Sequence, residues 1–179
     1  FEFEYRYSSM DYGEVRLGTD DLDFFEVLDF YEGAPFGRTD RAHTLIATFG
    51  LLPWVTLQGS VAWMDRQRDV ADEDVFVSSN ASGLSDIEAT ALIELWDKDN
   101  IRAHLIGGVE IPTGSIEKAG ATLRSPSDLL PYEMQLGSGS ISIVPGASAA
   151  IQNDRATVGA QVKARIRLYD NSRDYRLGD

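Results

Sequence analysis

The sequence predicts an all-β fold, an antiparallel up-and-down transmembrane β-barrel with about eight strands present in this chain. Three observations carry that expectation. Apolar and polar residues alternate with a period of two along several long segments, as strands with one apolar face require. No segment shows the 3.6-residue periodicity of an amphipathic helix. Short polar turns contrast with long loops, the wiring of a barrel whose tight turns gather at one end.

In chain order, residues 1–7 place Phe1, Phe3, Tyr5 and Tyr7 on one face of a strand and Glu2, Glu4 and Arg6 on the other. Residues 24–32 form a further, less regular strand candidate. Residues 42–49 and 54–64 flank Gly50-Leu51-Leu52-Pro53 as a hairpin, with Val55, Leu57, Val61 and Trp63 facing away from Thr56, Gln58 and Ser60. Next, Ile87, Ala89, Ala91, Ile93 and Leu95 oppose Glu88, Thr90, Leu92, Glu94 and Trp96, and the turn Asp97-Lys98-Asp99-Asn100 leads into residues 101–111. There Ile101, Ala103, Leu105, Gly107, Val109 and Ile111 stand against Arg102, His104, Ile106, Gly108 and Glu110. A third hairpin joins residues 138–151, with Ser138, Ser140 and Ser142 on the polar face, to the strand from Ala156 through Gln152-Asn153-Asp154-Arg155. In that last strand Val158, Ala160, Val162, Ala164, Ile166 and Leu168 alternate with Gly159, Gln161, Lys163, Arg165 and Arg167. Pro145 is expected to mark a bulge or a rim, and residues 65–86 and 112–131 are expected to be long loops.

Alternation does not say which face points inward. Strands of 11 to 14 residues exceed the soluble mode of about 5–6, which favours a membrane barrel with its apolar face outward. The aromatics Tyr5, Tyr7, Trp54, Trp63, Trp96 and Tyr169 fall near strand ends, where girdle residues meet a lipid–water boundary; a core or rim role accounts for them equally well. A hydrophobic fraction of 43% with 10% aromatics excludes a disordered chain. The net charge of −13 makes nucleic acid a poor partner. The absence of cysteine removes disulfides, thiolate catalysis and zinc–thiolate sites. Charge is uneven: the first forty residues hold eleven acids against three arginines, net −8, whereas residues 156–179 hold five basic residues against three acids, net +2. In a closed barrel, acidic rows bearing Glu88 and Glu94 would face the basic row Lys163, Arg165, Arg167 across a lumen and set up a transverse field.

Two motifs carry a resemblance. Gly108-Val109-Glu110-Ile111-Pro112-Thr113-Gly114-Ser115 resembles the Pro-Thr-Gly signature that ends a strand in the outer-membrane family labelled MetA pathway of phenol degradation, and Leu136-Gly137-Ser138-Gly139-Ser140 resembles that family's Leu-Gly-x-Gly-Ser element. Residues 44–49, Gly50 and 55–58 are similar to its strand, turn and strand. The resemblance spans residues 42 to about 169. It implies an outer-membrane barrel that transports hydrophobic or aromatic compounds, with no catalytic residue to carry over. The family continues into further strands where this chain has Arg176-Leu177-Gly178-Asp179, so the resemblance implies either part of a larger barrel or a smaller relative.

The function expected is a passive channel or transporter for small molecules in a bacterial outer membrane, within one domain over residues 1–179. Its lumen would be lined by Glu88, Glu94, Arg102, His104, Glu110, Gln161, Lys163, Arg165 and Arg167. Membrane lipid and a small-molecule solute are the expected partners, with a homo-oligomer or a periplasmic protein left open. A non-transport scaffold barrel and a soluble lipocalin-like binder are the alternatives. No cofactor or metal is expected: the acidic runs at 20–23 and 69–74 lack ordered calcium-loop spacing. His104 beside Arg102 and Glu110 has no Gly-x-Ser-x-Gly to serve, so no enzyme is expected.

Overall fold

The computed structural model describes residues 1–13, 15–29, 31 and 33–176. Its elements are β1 (Glu2–Tyr12), β2 (Val15–Leu17), β3 (Asp20–Leu22), α1 (Phe24–Leu28), β4 (Ala34–Leu52), β5 (Val55–Ala71), β6 (Phe76–Leu84), β7 (Ile87–Lys98), β8 (Ile101–Ile111), β9 (Ala119–Gly120) and β10 (Asp128–Leu129). A 3₁₀ turn (Tyr132–Met134), β11 (Ser142–Ile143), β12 (Gly146–Gln152), β13 (Thr157–Lys163) and β14 (Ile166–Arg167) follow. The chain is all-β, and its principal sheet is antiparallel throughout.

The sheet is a meander of seven columns. β1 pairs β4, β4 pairs β5, and β5 pairs β6 at one end and β7 at the other. β7 pairs β8, β8 pairs β11 and β12, and these pair β14 and β13. Turns at 53–54, 99–100 and 153–156 share one end; the 13–33 insertion and the loop of residues 112–141 share the other. No ladder joins β1 to β13 or β14 among the described residues, so the sheet is open there.

Each side chain's face follows from the register, since opposed residues project to the same side. One ladder row runs Tyr5–Leu45–Val61; another runs Ile93–Leu105–Ala147–Val162. This face is apolar and exposed: Phe3 is 80%, Leu45 61% and Val162 68% accessible. The opposite face carries the polar row and is covered at its centre, with Ser142 at 0% and Glu110 at 7%, while the edge strands β1 and β13 stay exposed on both faces. Beyond the level of Tyr7, His43 and Trp63 the outward row turns polar, through Ser9, Arg41 and Asp65. β8 carries the apolar row from Ile101 to Ile111, ten rises of about 3.4 Å or roughly 34 Å of strand.

Several expectations are corrected. Residues 65–86 are not a loop: β5 runs to Ala71, and a tight turn returns the chain into β6. Asp72 closes that turn, its Oδ1 accepting from the amides of Asp74 and Val75 at 2.9 and 2.7 Å. The strand expected at 24–32 is the helix α1, since Asp23 and Glu26 form a reciprocal capping box; Phe30 and Glu32 lie outside the described residues, as do Leu177, Gly178 and Asp179. Pro145 marks neither bulge nor rim. Ile143 opposes Val109 and Gly146 opposes Ile106, so register is unchanged across it. Register shifts fall instead between Pro35 and Gly37, between Gly50 and Leu52, and between Glu94 and Trp96, the last setting Trp96 opposite Ala103 on the apolar row rather than beside Glu94. The strand expected from Ser138 begins at Ser142.

Candidate functional site: the concave polar face

The register places eight of the predicted residues, Glu88, Glu94, Arg102, His104, Glu110, Gln161, Lys163 and Arg167, on the polar side of the sheet, and Arg165, in the break between β13 and β14, reaches the same side through its ion pairs with Glu88 and Glu110. Four of them converge. Lys163 Nζ lies 2.6 Å from Glu88 Oε1, Arg165 Nη2 lies 3.0 Å from Glu88 Oε2, and the same nitrogen lies 2.9 Å from Glu110 Oε2. Ser142 Oγ completes the group by donating to Glu110 Oε1 at 3.3 Å.

These bonds report the shape of the sheet. Lys163 is level with Gly146, Ile106 and Leu92, four residues past Glu88. Along a flat sheet, three column spacings and four rises would separate their Cα atoms by roughly 20 Å. The two extended side chains and their bond span roughly 14 Å. The sheet is therefore curled, with the polar row on its concave side.

Two cavities lie in that concavity, of about 460 and 350 Å³, and Thr44, Ser60 and Glu88 line both. The Glu88 cluster thus stands between an outer chamber, lined by Glu133, Gln135 and Ser138 of the long loop, and an inner one lined by Gln161 and Lys163. Arg167, opposite Ser142, lines the outer chamber. The remaining three do not join the cluster. Glu94 stands opposite His104, and Arg102 Nε is 3.3 Å from Asp97 Oδ1 near the tight-turn end.

The loop of residues 112–141 folds over the concave face. Leu130, Met134 and Leu136 pack on Ala81 with Met64 against them, the buried apolar cluster of the chain. Asp86, in the break between β6 and β7, gathers the loop's two ends. Its Oδ1 accepts from Gly114 N at 2.8 Å, and its Oδ2 accepts from the amide and hydroxyl of Ser138 at 2.7 and 2.6 Å. Thr113 Oγ1 fills the same break, donating to Ser85 O and accepting from Ile87 N, both at 3.1 Å. The Pro-Thr-Gly and Leu-Gly-Ser motifs are thus two halves of one knot. From the other wall Arg66 donates to the carbonyls of Glu133 and Gln135, and Arg68 Nε lies 2.9 Å from Glu133 Oε1. Arg38 lines the outer chamber, bonded to Asp40.

Gly137 permits this approach. A Cβ there would stand 2.6 Å from Asp86 Oδ1 and from the carbonyl carbon of Gly114, and closer still to that carbonyl's oxygen. Backbone on one side and the anchoring carboxylate on the other leave no room to yield. Gly137→Ala is expected to cost about 1–3 kcal/mol, read as a lower urea midpoint; an unchanged midpoint would show the knot to be loose.

Arg38, Asp86, Arg66, Arg68 and Glu133 are site residues that the sequence pattern misses. Above the apolar band both faces of β5 are polar, as Asp65, Arg66, Gln67 and Arg68 show, and a period of two in hydrophobicity vanishes. Among the described residues no group of three or more His, Asp or Glu is arranged to hold a metal ion, and Asp23 and Asp72 of the acidic runs are occupied with backbone amides. The sequence matches no protein-family model, and no curated protein matches it.

Proposed function

We propose that this chain forms the wall of a bacterial outer-membrane β-barrel and passes small solutes through its polar interior. One observation carries the proposal: the apolar row is convex and exposed, while the ion-paired row is concave, with its carboxylates Glu88 and Glu110 covered. A soluble lipocalin-like binder needs the reverse, because water would have to wet Phe3, Leu45 and Val162. With lipid outside, the same row is favourable, and roughly 34 Å of strand tilted by about 40°, as in membrane barrels, gives a height of roughly 26 Å that suits a hydrocarbon core. The exposed Tyr7 and Trp63 stand at the edge of the band, with Phe1 stacked on Phe49 at the other, as interfacial girdles would. Within the lumen, Glu88, Glu110, Lys163 and Arg165 make a charged constriction between two chambers. The likeness to the phenol-degradation family in the Asp86 knot adds apolar or aromatic molecules as the solute class.

The test is retention in the outer-membrane fraction through a carbonate wash, with anomalous gel migration unless boiled. Release into the soluble fraction would end the membrane assignment. A sharper form uses Leu105, at mid-band and level with Val162. Leu105→Arg is expected to destabilise the protein in lipid vesicles by about 2–4 kcal/mol, whereas on a water-facing surface the same change costs less than about 0.5 kcal/mol.

A second reading, a non-conducting scaffold barrel, is favoured by the inward loop that Asp86, Arg66 and Arg68 hold in place. Single-channel recording in a planar bilayer separates the two: steps of defined conductance support transport, and silence from correctly inserted protein supports the scaffold.

A further inference from the structure

The two edges of the sheet run in the same direction. Each of the seven columns is antiparallel to the next, so the column of β13 and β14 ascends, as β1 does. These edges also share one interior: the cavity of about 350 Å³ is lined by Glu4 and Arg6 from β1 and by Gln161 and Lys163 from β13. Their faces correspond, with Phe3, Tyr5 and Tyr7 on the outer side of β1 and Val158 and Val162 on the outer side of β13.

Antiparallel pairing cannot join two ascending strands, so direct closure would require a parallel seam in an otherwise antiparallel sheet. A second copy standing in the same orientation presents the same two ascending edges and meets the same obstacle. A descending strand meets neither. Seven columns and one more make eight, the size at which side chains fill a barrel's interior, as the Glu88 cluster does here.

We infer that the cleft between β1 and β13 is a docking site for a single descending β-strand from polypeptide outside residues 1–179. That strand pairs with both edges at once, apolar on its outward side and polar on its inward side; the demand for an apolar outward side rests on the membrane reading above. Left unpaired, these edges would expose backbone donors and acceptors, which lipid does not tolerate.

The test is amide hydrogen exchange on the 179-residue protein in detergent micelles, alone and with a synthetic peptide copying residues 42–52. That peptide is the segment of β4 that descends against β1, and it has the required alternation. Alone, the edge amides of β1 and β13 are expected to exchange much faster than those of β5 and β8. With the peptide, both edges should slow together by about tenfold or more, saturating at one peptide per chain, and a scrambled peptide should leave them unchanged. Edges already protected in a monomeric chain, protection of one edge only, two peptides per chain, or equal protection by the scrambled peptide would overturn the inference. Membrane retention is read separately. Capture of the peptide by a chain that carbonate releases would defeat the membrane assignment while keeping the docking site; retention without capture would do the opposite.

Discussion

Replacing Asp86 by alanine is expected to release the loop of residues 112–141 from the concave face. Three hydrogen bonds end on this one carboxylate, two of them from backbone amides that have no other acceptor among those described. Bonds to a charged acceptor contribute about 1.5–3 kcal/mol each and are not additive, so a loss of about 4 kcal/mol is expected. Asp86→Asn should fall between, because its carbonyl oxygen can still accept from Gly114 while its amide group cannot accept from Ser138. The readouts are the urea midpoint in detergent and the rate of protease cleavage within residues 112–141. Cleavage should rise in the alanine variant before global unfolding, because the Leu130–Met134–Leu136 cluster alone is too small to hold the loop shut. Unchanged cleavage would remove Asp86 as the anchor and leave Arg66 and Arg68 to account for the loop's position.

The parts of this fold visible in the sequence are those where the two faces of the sheet differ in polarity. In β1, β8 and β13 one face is polar and the other apolar, so alternation holds with few breaks, Ile106 being one, and Glu88, Glu110 and Lys163 fall on one side. Where β5 and β6 rise above the band, Arg66, Gln67 and Arg68 face similar surroundings on both sides, and a strand reads as a loop. Helix α1 was legible in principle, since Asp23 and Glu26 stand three apart as a capping box requires. Other features depend on distance in sequence. Asp86 meets Gly114 and Ser138 from 28 and 52 residues away, and no local pattern announces such partners. The same limit applies to the site itself: the residues that line the polar face could be named from alternation, but the pairing of Glu88 with Lys163 needed the curl of the sheet.

On the channel proposed above, reversing the charge of Arg165 is expected to change which ions cross between the two cavities. In the native cluster two carboxylates, Glu88 and Glu110, are balanced by Lys163 and Arg165, and the local charge sums to zero. Arg165→Glu replaces a cation with an anion, leaving Lys163 against three carboxylates and a local charge of −2. At about 5 Å in water each unit charge acts on a passing ion with roughly 0.8 kcal/mol, so the two-unit change favours a cation and disfavours an anion by roughly 1.7 kcal/mol each, about twentyfold on either ion and up to a few hundredfold on their ratio at low salt. Screening shortens the reach of these charges to about 8 Å at physiological ionic strength, so the effect should shrink as salt is raised. The reversal potential under a salt gradient in a planar bilayer reports it directly. Lys163→Gln is the companion variant: it removes one positive charge and one ion pair, and should shift selectivity in the same direction by about half as much. A reversal potential that ignores both changes would place the permeation path away from the Glu88 cluster. A shift for Arg165→Glu alone would mean that Lys163, 31% accessible beside Glu88, is held out of the path by its own ion pair.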